Sequence, residues 1–183
     1  MELLKLYDEV YINYDNYNSP ILNKSGKKQI YVDNFINKND KILDIGCGSG
    51  YTLKRLYNKG YDIFGIDFSR ECCNRYLKDF PHECVSILDY CNRSTIAYDV
   101  ILCIDVLEHL SYNQIDNTLF NILGISNKAL FGIANHSDIK CGVELHIIQE
   151  KVDWWLKKIN TFYVRVKYID SLFDNRFFFI ETS

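Results

Sequence analysis

Apolar residues along this chain gather into two kinds of run that take turns. Short runs, Ile42 to Ile45, Asp62 to Ile66, His82 to Leu88, Asp99 to Ile104 and Lys128 to Ala134, are bounded by turn residues. Between them lie stretches whose apolar residues recur every three or four positions. The first kind reads as strand and the second as a helix with one face on a core. Strand and helix therefore alternate, the order expected of parallel strands joined by crossover helices. The helical stripes carry Leu3, Leu4, Tyr7, Val10, Tyr11 and Tyr14, then Ile30, Val32, Phe35 and Ile36, then Leu53, Leu56 and Tyr57. Further helices are predicted over Arg70 to Asp79, with Ser69 as cap and Pro81 as terminator, over Tyr112 to Leu123, and around Val152, Trp155, Leu156 and Ile159. Asn18 to Pro20 and Lys24 to Lys28 read as loop. Tyr163 to Ile169 and Arg176 to Glu181, joined by Ser171 to Asn175, read as a closing antiparallel hairpin.

One stretch carries a more specific signal. In KILDIGCGSG, Lys41 to Gly50, a strand ends in an acid and then in glycine at every second position. Without a Cβ, Gly46, Gly48 and Gly50 let the backbone take positive φ and let a ligand approach the main chain. The helix that follows points its free N–H groups at the same place. The glycines read G-x-G-x-G, whereas the dinucleotide fingerprint reads G-x-G-x-x-G. Asp44 would also repel a pyrophosphate, and suits a ligand bearing an ammonium group.

LDIGCGSG, with Asp67 closing the next strand, resembles the nucleotide-binding motif of the class I S-adenosylmethionine-dependent methyltransferases, over about Lys41 to Leu110. The resemblance implies an α/β, doubly wound, seven-stranded and mostly parallel sheet with an antiparallel C-terminal strand and helices on both faces. It also implies S-adenosyl-L-methionine as cofactor and S-adenosyl-L-homocysteine as product. Asp44, Gly46, Cys47 and Gly48 then form the binding turn. Asp67, about twenty residues past the first glycine at a strand's carboxyl end, is placed to accept hydrogen bonds from a ribose diol. By resemblance, Phe68 covers the adenine, Asp89 in a loop after the third strand receives its amino group, and Cys103 and Ile104 line the methionine portion through their backbone.

Length and composition narrow the reading. The 183 residues suit one domain. Its expected parts are a helical lid over 1–38, a cofactor-binding core over 40–134, and a substrate-side loop, helix and hairpin over 135–183. The net charge of −3, with no basic block, does not give the footprint of a duplex-binding surface. No nucleic-acid partner is expected. The seven cysteines include no C-x-x-C pair, which argues for reduced thiols rather than disulfides or a zinc knuckle. With no long apolar segment and no leader, a cytoplasmic chain without membrane attachment is expected. The oligomeric state stays open.

Acceptor chemistry is expected in the most individual stretch, HSDIKCGVELHIIQEKVDWWLKKI, from His136 onward. His136 or His146 is placed as general base, and Glu144 and Trp155 on the acceptor wall. Tyr11 of the N-terminal stripe and His109 are further acceptor contacts. Asp105, Glu108 and His109 stand at i, i+3 and i+4, one face of a helix, as in quinone-precursor methyltransferases that bind a divalent ion through E-x-x-E-H. L-E-H also occurs in relatives without metal, so no metal is expected and chelation should leave activity intact.

Two substrate classes are excluded. Methylation of an exocyclic base amine resembles a family with an N-P-P-Y or D-P-P-Y loop, whereas this chain continues Cys103-Ile104-Asp105-Val106. Pyrimidine carbon methylation uses a cysteine, usually after proline, and neither Pro20 nor Pro81 precedes one. A small-molecule acceptor remains, with methylation expected at oxygen and a sugar or polysaccharide precursor as one option. The alternative is a regulatory module that binds S-adenosylmethionine without transfer, for which an open site with no organised loop after His136 is expected.

Overall fold

A computed structural model describes residues 2–14, 25–94, 96–172 and 177–183, the side chains of 2, 3, 25 and 26 excepted. Two helices, α1 (Glu2–Asn13) and α2 (Ser25–Phe35), precede β1 (Lys41–Ile45). There follow α3 (Tyr51–Asn58), β2 (Asp62–Asp67), α4 (Arg70–Tyr76), β3 (His82–Cys84), α5 (Ile87–Arg93) and β4 (Val100–Ile104). A 3-10 turn, Leu107–His109, leads to α6 (Ile115–Leu123) and β5 (Ala129–Ala134). A two-stranded ribbon, β6 (Ile139–Lys140) and β7 (Val143–Glu144), then α7 (Val152–Asn160), β8 (Val166–Leu172) and β9 (Phe177–Thr182), complete the chain. The expected loop at Asn18 to Pro20 and the tip of the closing hairpin, 173–175, lie outside the described residues.

The main sheet has seven strands in the order β3-β2-β1-β4-β5-β9-β8. Pairing is parallel from β3 to β5, while β9 runs antiparallel between β5 and β8. The order reverses at β1 and β4, and Ile42 to Ile45 lie in register with Val100 to Cys103. Such a switch point opens a crevice beyond the strands' carboxyl ends. Both faces of the sheet are covered. Leu43, Ile45, Ile101, Cys103, Phe131 and Ile133 join Leu119, Ile122, Trp155 and Ile159 in one buried cluster, and Ile42, Leu102 and Leu130 join Val32, Leu53, Leu56 and Leu77 in the other. Alternate residues of one strand fall into opposite clusters because the side-chain period is two.

Several expected boundaries move. The run His82 to Leu88 is not one strand: β3 stops at Cys84, and Ser86 caps α5 by accepting the Asp89 amide at 3.2 Å. Three apolar residues, Val85, Ile87 and Leu88, look like strand, but the Ser86 hydroxyl offers the chain a helix start. Asp105 is not helical either, with φ of 58°, and only Leu107–His109 turn. The ribbon β6-β7, turned by Cys141 and Gly142 at positive φ, stands where loop was expected.

Helix α1 docks on α4. One Asp8 carboxylate oxygen accepts the Ser69 hydroxyl at 2.7 Å and the Glu71 amide at 3.0 Å, and the Arg75 guanidinium donates to the Tyr11 carbonyl at 2.8 Å. Asp8 thus meets the first turn of α4, where negative charge is favoured. Helix α2 is fixed to α3 through Gln29, which donates to Thr52 and accepts from Arg55, both at 3.0 Å.

Candidate active site

Strand β1 ends in the glycine turn, and every bond there follows from its buried position. Gly46, Gly48 and Gly50 have φ of 64°, 54° and 80°. A Cβ on Gly46 would stand 2.4 Å from Val106 Cγ2, so the turn packs against the segment after β4 with no room for a side chain. The Cys47 amide donates to the Ile66 carbonyl at 3.0 Å, which ties the turn to β2. Asp44 is buried. It accepts a hydrogen bond from the Leu53 amide in the first turn of α3, while its Oδ2 has no partner among the described residues. Burial first, and then the Asp67 charge, pushes the Asp44 carboxyl up to about 7. A buried acid oxygen with no donor is a costly feature unless a ligand supplies one.

Asp67, at the end of β2, accepts the Gly48 amide through Oδ2 and the Ser69 amide through Oδ1, both at 2.9 Å. Burial raises its carboxyl to about 6 against the pull of these backbone donors. The Phe68 amide is a third backbone donor, and the carboxylate still has acceptor capacity for one more. Phe68 follows at the same edge, half-buried, with the Tyr7 ring edge-on at 4.8 Å between centroids. An ammonium for Asp44, a vicinal diol for Asp67 and a flat ring beside Phe68 together describe a ligand such as S-adenosylmethionine. The donor set fits it.

Asp89 is not where the sequence placed it. It lies in the first turn of α5, exposed, and accepts from the Ser86 hydroxyl at 2.6 Å. Val85 and Ser86 occupy the carboxyl edge of β3 instead, with the Val85 amide donating to the Asp67 carbonyl at 2.8 Å. Ser86 therefore lies nearer the Asp67 edge than Asp89 does. Its place was hidden because an acid is the more conspicuous residue. The Cys103 thiol is fully buried on a core face, where burial holds it well above the usual thiol range, so only its backbone could face a ligand.

A second set of side chains meets at the ends of β4 and β5. Glu108 is completely buried: Oε1 accepts the Ala134 amide at 2.9 Å, and Oε2 has no partner among the described residues. Burial, then the Asp105 charge, lifts its carboxyl to about 8. His109 hydrogen-bonds through Nδ1 to the Leu145 carbonyl at 2.9 Å, and His146 through Nδ1 to the His136 carbonyl at 2.6 Å. A carbonyl only accepts, so each Nδ1 carries the proton and each Nε2 keeps its lone pair. Burial and the neighbouring His146 push His109 down to about 4, and burial lowers His146 as well. The two rings lie 4.7 Å apart, His136 is 4.9 Å from His146, and Tyr7 lies 5.7 Å from His109.

Asp105 does not join this group. It pairs with Lys28 of α2, whose ammonium also sits 3.9 Å from the centre of the Phe177 ring. Lys28 carries no motif that sequence reasoning could have used. Glu144 organises the loop: Oε1 accepts the Asp138 and His146 amides at 2.8 and 3.0 Å, Oε2 accepts the Ser137 hydroxyl, and that hydroxyl holds its carboxyl down at about 2. These bonds occupy Glu144 with its own loop rather than an acceptor wall. Trp155 is also not on a wall, being completely buried in the core cluster with Phe131 and Tyr163. Tyr11 turns toward α4, its ring 6.2 Å from Tyr76, and Tyr7 takes the place over the site expected of it. About one helical turn, four positions, separates them, and the stripe alone does not say which tyrosine faces the crevice.

A family model described as a methyltransferase domain matches residues 17–168. Among curated proteins, the ubiquinone biosynthesis O-methyltransferase of Idiomarina loihiensis is 23% identical over 77 residues, covering 38% of this chain and 32% of the relative. The chain spans about a third to a half of the length of the curated relatives it matches. Among solved structures, a SAM-dependent methyltransferase from Archaeoglobus fulgidus superposes with a TM-score of 0.75 at 12% identity, over 94% of this chain and 98% of that one. The DhpI–SAH complex gives 0.78 at 11% identity, over 98% and 94%. Among the described residues, no helix is long and apolar enough to cross a membrane.

Proposed function

This chain belongs to the methyltransferase-domain family, and from that premise we propose that it transfers a methyl group from S-adenosylmethionine to an oxygen of a small-molecule acceptor. The observation that carries the reading is the pairing of Asp44, with its unpartnered buried oxygen, and Asp67, bonded to the Gly48 amide, on one glycine turn. The name of the Idiomarina relative supports oxygen as the acceptor atom.

When bound, the cofactor supplies a methyl group on a sulfonium, open to attack by a nucleophile. Asp44 would take its ammonium group and Asp67 its ribose hydroxyls, with Phe68 against the adenine and the Cys103–Ile104 backbone beside the methionine portion. Tyr7, His109, His136 and His146 would line the acceptor side. His136 is exposed and bonds through Nδ1 to the Ser137 carbonyl at 3.0 Å, which leaves Nε2 to take a proton from an acceptor hydroxyl. His146 has the same free nitrogen in a buried place. If the acceptor is already a carboxylate, the histidines orient it and no base is needed. Holding the reacting pair in place can contribute roughly 7–11 kcal/mol.

The ordered loop after His136, cross-bonded through Glu144, supports transfer over a purely regulatory site. A sugar acceptor loses one of its supports, since Trp155 is in the core and Trp154 stands edge-on to Tyr112 at 5.8 Å. Turnover of S-adenosylmethionine against small hydroxyl and carboxyl compounds, followed by release of S-adenosylhomocysteine, tests the reading. Binding of S-adenosylhomocysteine with no turnover on any oxygen compound, together with turnover on amines, would replace oxygen by nitrogen. Failure to bind S-adenosylhomocysteine in calorimetry would sink the whole proposal.

A further inference from the structure

We propose that Glu108, His109 and His146 bind one divalent cation of borderline softness, Zn²⁺ being the first candidate, with a coordination position left for an oxygen ligand. One ligand atom from each residue lies within 4.8 Å of the other two. Tetrahedral donors about 2.0–2.2 Å from zinc lie roughly 3.4 Å apart, so each side chain needs to move inward by less than about 1 Å.

Three independent features favour a cation here. Both imidazoles commit Nδ1–H to backbone carbonyls, those of Leu145 and His136, which is the support usually found behind metal-bound histidine and leaves both Nε2 lone pairs free. Glu108 is held by one oxygen to the Ala134 amide, while the other is buried without a partner among the described residues. The two segments that carry the ligands are clamped together, since the Ile148 amide donates to the Glu108 carbonyl at 2.9 Å and His109 bonds the Leu145 carbonyl. The donors are thus gathered before any ion arrives. Two nitrogens and one carboxylate oxygen suit Zn²⁺, and after it Fe²⁺ or Mn²⁺, better than Mg²⁺ or Ca²⁺.

This set differs from the one the sequence suggests, because Asp105 is turned toward Lys28 and His146 arrives from a loop 37 positions beyond His109. It also departs from the expectation that no metal is needed. The proposal rests on the methyltransferase reading only for what the ion would do, namely draw an acceptor oxygen to its open position and ease loss of that oxygen's proton. His146 would then be a ligand, and His136 the remaining proton acceptor.

Protein stripped with chelator and titrated with Zn²⁺ in a calorimeter should take up one equivalent. Co²⁺ at the same site should give visible absorption without the near-ultraviolet thiolate band that binding at the exposed Cys84 or Cys141 would produce. Glu108→Gln keeps an oxygen for the Ala134 amide, and with His146→Ala it should weaken Zn²⁺ at least tenfold. No stoichiometric uptake by the wild type, a thiolate band, or unchanged affinity in both variants overturns the site. S-adenosylhomocysteine titrated into the same wild-type samples separates the two readings. Uptake of Zn²⁺ without the nucleoside upholds the metal and removes the methyltransferase reading, whereas nucleoside binding without Zn²⁺ does the reverse.

Discussion

The Asp67 carboxylate accepts the Gly48 amide at 2.9 Å, which joins the end of β2 to the turn after its neighbour β1, beside the switch point between β1 and β4. Asp67 and the glycine turn are therefore one bonded unit rather than two separate loops.

Asp67→Ala should weaken S-adenosylhomocysteine by about 1.5–3 kcal/mol, the usual worth of hydrogen bonds to a charged group. Calorimetry at constant pH measures it. Unchanged affinity would take Asp67 out of the site.

Gly46→Ala should destabilise by more than the roughly 1–2 kcal/mol of a left-handed conformation, because its Cβ would also strike Val106 Cγ2. Gly142→Ala, at φ of 75° with open space around it, isolates the conformational part. Denaturant midpoints of the two variants should differ, with Gly46→Ala lower; equal midpoints would mean that Val106 yields freely.

Asp44 should make the ligand-free protein less stable as pH rises. Its carboxyl ionises near 3.8 when unfolded and at about 7 when folded, so between these values the folded state holds a proton that the unfolded chain has lost. The cost is absent below about pH 4 and complete above about pH 7, with an upper bound of roughly 4 kcal/mol. Asp67 faces Asp44 and acts in the same direction, while burial keeps the neighbouring Cys47 thiol protonated throughout. Urea titrations at pH 5, 6.5 and 8 should show a steeper loss in the wild type than in Asp44→Asn. Parallel curves would contradict the assignment.

His136→Ala should lower turnover by about 10²-fold or more if His136 takes the acceptor's proton, with S-adenosylhomocysteine affinity almost unchanged. The substitution leaves the His136 carbonyl, and hence the bond from His146, in place. His146→Ala removes that bond and should also lower the melting temperature. If His136→Ala lost stability and nucleoside affinity in parallel, the acceptor would have to be sought elsewhere under α1.

Asp8→Ala should loosen α1 from α4 at a cost of about 0.5–2 kcal/mol, the range for a lost helix cap. Hydrogen exchange would show it as faster exchange in α1 with the sheet unaffected. Uniform change across the chain would mean that α1 is not a separate lid.

The sequence by itself determined whatever depends on neighbours along the chain. Period and turn residues fix the alternation of strand and helix, and the spacing of Gly46, Gly48 and Gly50 after Asp44 and before Asp67 fixes the ligand class, because backbone freedom and charge are local properties. Ser69 was legible as a cap for the same reason. What only the tertiary structure decided involves partners far apart in the chain: Lys28 taking Asp105 away from Glu108, His146 arriving beside His109, and Glu144 turning inward to hold its own loop. Tyr7 rather than Tyr11 over the site, and Trp155 in the core, belong there too, since a helical stripe gives the angle between residues but not the direction in which the packed helix points. Asp89 failed on a smaller scale: one serine hydroxyl began a helix early and carried the acid out of the strand edge.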